Sequence, residues 1–284
     1  MKKNSLKAFS LIEISVVIVI IGILIAGISS GIDLFYDFKL STARSLTKSA
    51  PVPRIEGLFT WIETTSPESY TTPPKDGASI DLIKDLSFKM DKANFVQTGV
   101  DGLKPVYKQG NLNNLPALYF DGSNDFLVSE KSYTSNIFSN SQITIFAVIN
   151  YVGNSLSVFL KHETAPYRTG LEINDGKIRF DFPQDNYTKI IGINSIRNKN
   201  LIITAIADKV NQKIYINSTL EASNANTTTI SSSPPSQIYL GKNIFDQFPT
   251  QFNFGELIIY DRALSVRELD SVTKYLSKKW GIKI

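Results

Sequence analysis

The sequence predicts a long N-terminal α-helix followed by an all-β sandwich that closes with a short C-terminal helix. Three observations predict it. An uninterrupted apolar run passes directly into an amphipathic one before Pro51 and Pro53. A series of short alternating or apolar runs separated by turn residues follows. The last twenty or so residues return to helical spacing. With 284 residues, 42% of them hydrophobic and 11% aromatic, the chain has material for a sizeable core.

The first helix begins in a basic segment. Lys2, Lys3 and Lys7 precede the apolar run; without them the 30 basic residues fall to within one of the 26 acidic ones. A remainder so nearly neutral exerts no long-range pull on phosphates, so no nucleic-acid partner is expected. Residues 14–32 carry no charge and, at 1.5 Å per residue, cover about 28 Å, the thickness of a hydrocarbon core. A secretory signal or a simple signal anchor shares these features. Neither accounts for Glu13, since a carboxylate at the bilayer centre costs about 2.5–3.5 kcal/mol and needs a partner. Beyond residue 32, Leu34, Phe35, Phe38, Leu40 and Leu46 alternate with Asp33, Asp37, Lys39, Arg44 and Lys48, as in the same helix made amphipathic, so one helix is predicted over 9–49.

Lys7-Ala8-Phe9-Ser10-Leu11-Ile12-Glu13-Ile14, followed by a run of Val, Ile, Gly and Leu, resembles the prepilin signature of type IV pilins and type II secretion pseudopilins. The resemblance implies cleavage between Ala8 and Phe9 by a prepilin peptidase on the cytoplasmic side, methylation of the new amino terminus at Phe9, and Glu13 as the assembly residue. In this chain Ala8 stands where the family usually has glycine. Other pilin subunits, reached through the helix, and the inner membrane are the implied partners, and a periplasmic or extracellular filament is the implied destination. Physically, a buried Glu13 carboxylate gains a partner when the Phe9 ammonium of a neighbouring subunit comes beside it.

Strands are predicted at 118–120, 143–149, 156–160, 171–173, 178–182, 201–207, 214–216, 238–240 and 257–260, with a tight hairpin at Asn174-Asp175-Gly176. Residues 65–108 read as long loops around Pro73-Pro74 and Gly99–Gly102, and the Ser/Thr/Asn-rich tract 222–236 as an exposed loop. Leu264, Ser265, Glu268 and Leu269 form a staple and capping box for the last helix, which Gly281 caps at its C-terminus. The stretches 55–61, 116–127 and 255–265 resemble the laminin-G-like branch of the concanavalin A-like lectin and glucanase superfamily, which implies a jelly roll of two antiparallel sheets. The expected organisation is therefore a leader (1–8), a transmembrane and assembly helix (9–50) and a jelly roll (54–284).

Function follows the same division: a pilin-like subunit displaying a lectin-like domain toward a glycan or surface, with a secretion pseudopilin or a membrane-anchored glycosidase as alternatives. No enzyme activity is predicted. The superfamily's glucanases use the spacing Glu-x-Asp-x-x-Glu, absent here, and Glu172, Asp175 and Asp181 read as an exposed charged face shared with Lys177 and Arg179. The lone histidine, His162, reads as an ordinary surface or loop residue, and Gly27-Ile28-Ser29-Ser30-Gly31 matches a nucleophile-elbow pattern only by coincidence, at the end of the membrane helix. With zero cysteines there are no disulfides or thiolate sites. No cofactor is predicted. Calcium at Asp121, Asn124 and Asp125 competes with an Asx-stabilised turn, and one loop offers few ligands for a six- to eight-fold shell.

Overall fold

The computed structural model describes residues 10–89, 92, 94–133, 141–153, 157–163, 168–182, 189–225, 235–242 and 249–284. Helix α1 (Leu11–Lys48) starts at Ser10, whose hydroxyl accepts from the Glu13 amide while the Glu13 carboxylate accepts from the Ser10 amide, a closed capping box. Thirty-eight residues make a rod about 57 Å long, ended by Pro51 and Pro53.

Two antiparallel eight-stranded sheets form the sandwich. Sheet A runs β14 (Thr219–Ala225), β13 (Asn211–Ile216), β12 (Asn200–Asp208), β7 (Gln142–Tyr151), β16 (Gln251–Tyr260), β5 (Leu115–Asp121) and β4 (Val106–Leu112). Its eighth strand, β1 (Leu58–Glu63), pairs with the far half of β16. Sheet B runs β11 (Lys189–Ile191), β10 (Lys177–Asp181), β9 (Arg168–Asn174), β8 (Ser157–Glu163), β15 (Ile238–Leu240), β6 (Leu127–Ser129), β3 (Phe95–Val96) and β2 (Leu82–Ile83). Helix α2 (Val266–Trp280) follows β16, with the predicted Ser265–Glu268 capping box and Gly281 in the left-handed conformation at φ +63°.

The hairpin expected at Asn174 joins β9 to β10, with Asn174 opposite Lys177 and both Asp175 (φ +49°) and Gly176 (φ +70°) in the left-handed region that such two-residue turns require. Two expectations need correction. Residues 65–108 are not only loop: β2 and β3 arise there, each two residues long and defined by pairing to a neighbour rather than by any run of its own. Strand β14 carries the 222–236 tract through Ala225, because its backbone completes the ladder to β13 even with polar side chains. Residues 226–234 lie outside the described residues.

Side-chain alternation places Ile145, Ala147, Ile149, Phe120, Phe252, Leu171, Ile173, Phe180 and Leu240 between the sheets, with Phe120 stacked on Phe252 at 4.4 Å. Each of these side chains except Ala147 contributes about 1.5–3 kcal/mol by leaving water. Sheet A is apolar on its other face too. Phe146, Val148, Ile202, Ile258, Tyr260 and Trp61 meet Val272, Leu276 and Trp280 of α2 and Ala43 of α1 in a second core. That is why 145–149 is continuously apolar rather than alternating. The molecule therefore has three layers: helices, sheet A, sheet B. The helices pack on the outer side of sheet A, and the outer side of sheet B faces away from them.

Candidate functional site

Helix α1 changes its surroundings along its length. From Leu11 to Ile28 it is long and apolar enough to cross a membrane, and no part of it is buried against the rest of the chain. Glu13 heads this segment, its carboxylate 2.7 Å from the Ser10 amide. Ala8 and Phe9, the predicted processing site, lie outside the described residues.

Past the apolar segment one stripe of α1 docks onto the sandwich, carrying half-buried Tyr36 and Leu40 and buried Ala43 and Thr47, with buried Ala50 just past the helix end. These positions are spaced three or four residues apart, as one helix face demands. Tyr36 packs over Gly110, where an added Cβ would lie 3.1 Å from the ring. Lys39 donates to the Asn113 carbonyl at 3.1 Å and Arg44 to the Thr65 carbonyl at 2.9 Å. The opposite stripe stays in the open: Leu34, Phe35 and Phe38 are 71%, 50% and 69% exposed. An amphipathic helix with both stripes apolar has room for a second contact.

Between the helices and sheet A lies a polar cluster that sequence reading missed. The Lys279 ammonium sits 2.8 Å from Glu63 Oε2 and 2.8 Å from Glu256 Oε2, all three side chains fully buried. Glu256 Oε1 also accepts from Trp61 Nε1 (2.7 Å) and the Tyr275 hydroxyl (2.8 Å), and its Oε2 from Trp280 Nε1 (2.8 Å). Glu63 accepts from the Thr65 amide and hydroxyl and the Ser66 amide, each at 2.7 Å. Burial, reinforced by the two carboxylates, holds the Tyr275 phenol well above its ordinary pKa, so it stays a donor. A signal was present: Lys279 lies on the apolar stripe of α2 with Val272, Tyr275 and Leu276, and Glu256 is the lone acid inside an apolar strand.

On the outer side of sheet B, one register row crosses from edge to edge. It contains half-buried Leu82, Val96, Val128 and Tyr239, then Asp181 and exposed Lys189. Next to this row, Arg179 grips Asp181 through two bonds of 2.9 Å and reaches Glu172 at 3.1 Å. This corrects the expectation of an exposed charged face. Asp181 is fully buried and Glu172 nearly so, and both pair with Arg179, Asp181 along the same strand and Glu172 across to β9, rather than with solvent. Asp175 alone of the three is open to solvent, at the hairpin tip. His162 lies on β8 opposite Ile238.

The loop after β5 uses its carboxylates on its own backbone. Asp121 Oδ1 accepts from the amides of Ser123 (2.7 Å) and Asn124 (3.4 Å), and Asp125 Oδ2 from the Asp121 amide (2.8 Å). Burial, with the Asp121 charge beside it, pushes the Asp125 carboxyl up to about 6. Among the described residues there is no group of three or more His, Cys, Asp or Glu able to hold a metal.

Residues 3–29 match the family model described as the prokaryotic N-terminal methylation motif. No curated protein matches the chain. Among solved structures, the binding domain of Paraclostridial mosquitocidal protein 1 is similar at 16% identity and a TM-score of 0.55, over 78% of this chain and 52% of that one. The receptor binding domain of the botulinum neurotoxin C/D mosaic serotype is similar at 14% identity and a TM-score of 0.55, over 77% and 51%. Trypanosoma rangeli sialidase is similar at 14% identity and a TM-score of 0.54, over 80% and 33%. The chain thus spans a third to a half of these proteins, and at such identities the likeness is one of fold. The expectation that no enzyme is involved is corrected by the last of them: sialidases are among the proteins that contain this fold, so the fold itself excludes no activity.

Proposed function

We propose that this chain is a type IV pilin-like subunit, of a pilus or of a secretion pseudopilus, that carries its sandwich on a membrane-derived assembly helix. The observation that carries the reading is the coincidence of the methylation motif at 3–29 with a fully uncovered apolar helix headed by Glu13. Residues 1–8 are the leader, a prepilin peptidase cuts between Ala8 and Phe9, and Phe9 becomes the methylated terminus. Residues 9–50 hold the subunit in the inner membrane and later in the filament. There the Phe9 ammonium of a neighbouring subunit joins the Ser10 amide at the Glu13 carboxylate, a charge-assisted contact in a low-dielectric surrounding.

Residues 54–284 form the displayed part, a sandwich of concanavalin A-like, jelly-roll type. Since α1 and α2 pack on sheet A, the face turned away from the helices is the outer side of sheet B. Its mixed row of apolar and charged positions suits adhesion to a glycan or another surface, in keeping with two similar structures that are binding domains. N-terminal sequencing of the membrane-extracted protein tests the core of this reading. A start at methylated Phe9 is expected, with Glu13→Ala processed normally yet absent from sheared filaments. A start at Met1 or near Gly31 overturns it.

A further inference from the structure

Lys279 has an amine wholly removed from water, with two carboxylate oxygens in contact at 2.8 Å. Two acids face one base in a layer without solvent, where desolvation makes separated charges expensive. The two carboxylates are held differently. Glu63 is fixed by three donors, two of them backbone amides. Glu256 presents one oxygen to the Trp61 N–H and the Tyr275 O–H, and the other to the amine and Trp280. Two donors converging on one carboxyl oxygen are the arrangement that stabilises a tetrahedral oxyanion.

We propose that Lys279 and Glu256 condense to an intramolecular amide, with Glu63 relaying the proton. The ammonium passes one proton to Glu256 Oε2 across their 2.8 Å contact, giving a neutral amine and a neutral acid. Nζ attacks Cδ of Glu256, and the charge that develops on Oε1 meets the Trp61 and Tyr275 donors. Glu63, 2.8 Å from Nζ, takes a second proton from nitrogen and returns it to Oε2. The Cδ–Oε2 bond breaks, and Oε2 leaves as one water with both protons. Nothing is oxidised or reduced, and Glu63 ends as it began, anionic on its three donors. Two features favour the step: the reacting groups are held in contact, and a site without solvent gives the reverse hydrolysis little water. Lys274 and Asp270 are also 2.8 Å apart, but at 66% and 54% exposed they stand in solvent and lack such an enclosure. In a chain without cysteine, the amide would be a covalent tie between α2 and the central strand β16.

The experiment is mass spectrometry of the full chain extracted from membranes. The intact mass is expected one water below that of the processed polypeptide, with a branched tryptic peptide joining the segments of Glu256 and Lys279 and no cleavage after Lys279. Glu63→Gln is expected to raise the intact mass to the unlinked value. Free Lys279 and Glu256 in the wild-type digest overturn the proposal without recourse to any variant. A link to Glu63 instead, or an intact link in Glu63→Gln, overturns the assigned roles. The N-terminal peptide in the same digest reports leader processing separately, so the two readings stand or fall independently.

Discussion

Gly255→Ala is the substitution for which the structure gives the clearest magnitude. Gly255 lies in β16 on the helix side of sheet A, where the pairing to β7 is irregular between Phe254 and Glu256. An added Cβ would come 2.8 Å from Cη2, 3.0 Å from Cζ2 and 3.1 Å from Cζ3 of Trp280. The indole cannot easily retreat, being 1% exposed and bonded through Nε1 to Glu256. Overpacking of this kind costs about 1–3 kcal/mol. Reduced freedom of the unfolded chain returns about 0.4–1 kcal/mol. A net loss of about 1–2 kcal/mol is expected, a fall of a few degrees in Tm for a protein of this size. Thermal melts of the detergent-solubilised chain, followed by near-ultraviolet circular dichroism, measure it. In a Trp280→Phe background, which lacks the colliding ring, most of the cost should vanish. Stability equal to or above that of the wild type, or the same loss in both backgrounds, would refute the contact as the cause.

Other expectations follow from charge and exposure. The folded Asp125 carboxyl titrates near 6 rather than its ordinary 3.8, so the native state binds the extra proton and wild-type stability rises as pH falls across that window; Asp125→Asn should flatten this slope in melts at pH 5 and 7. Glu268 behaves oppositely: the Arg262 hydrogen bonds lower it from 4.5 to about 2, so its contribution is complete above 4.5 and disappears as pH falls through 2, and Arg262→Gln should remove that acid-side loss. Arg179→Met takes the bidentate guanidinium from fully buried Asp181 and should cost about 3–5 kcal/mol in urea unfolding, against less than about 0.5 for Lys177→Met. Phe35→Ser with Phe38→Ser alters an uncovered stripe, so monomer melting should move by under about 0.5 kcal/mol while recovery in sheared filaments falls.

What the sequence by itself determined is whatever depends on neighbours within a few residues. The apolar run with Glu13, the stop at Pro51 and Pro53, the hairpin at Asp175-Gly176, the Ser265–Glu268 box and the Gly281 cap are all settled by contacts of one to four positions, and each is where the residues placed it. Periodicity likewise indicated strands enough for a sandwich. The tertiary structure alone decided how those strands share two sheets, that β2 and β3 exist at all, and that Glu172 and Asp181 are paired and buried rather than solvated. It alone brought Glu63 to Lys279 across 216 positions and set the helices on the outer side of sheet A. The reason is physical: a cap or a turn is satisfied by its own backbone, whereas the burial of a charge and the pairing of a two-residue strand depend on partners that the chain brings close only when it folds.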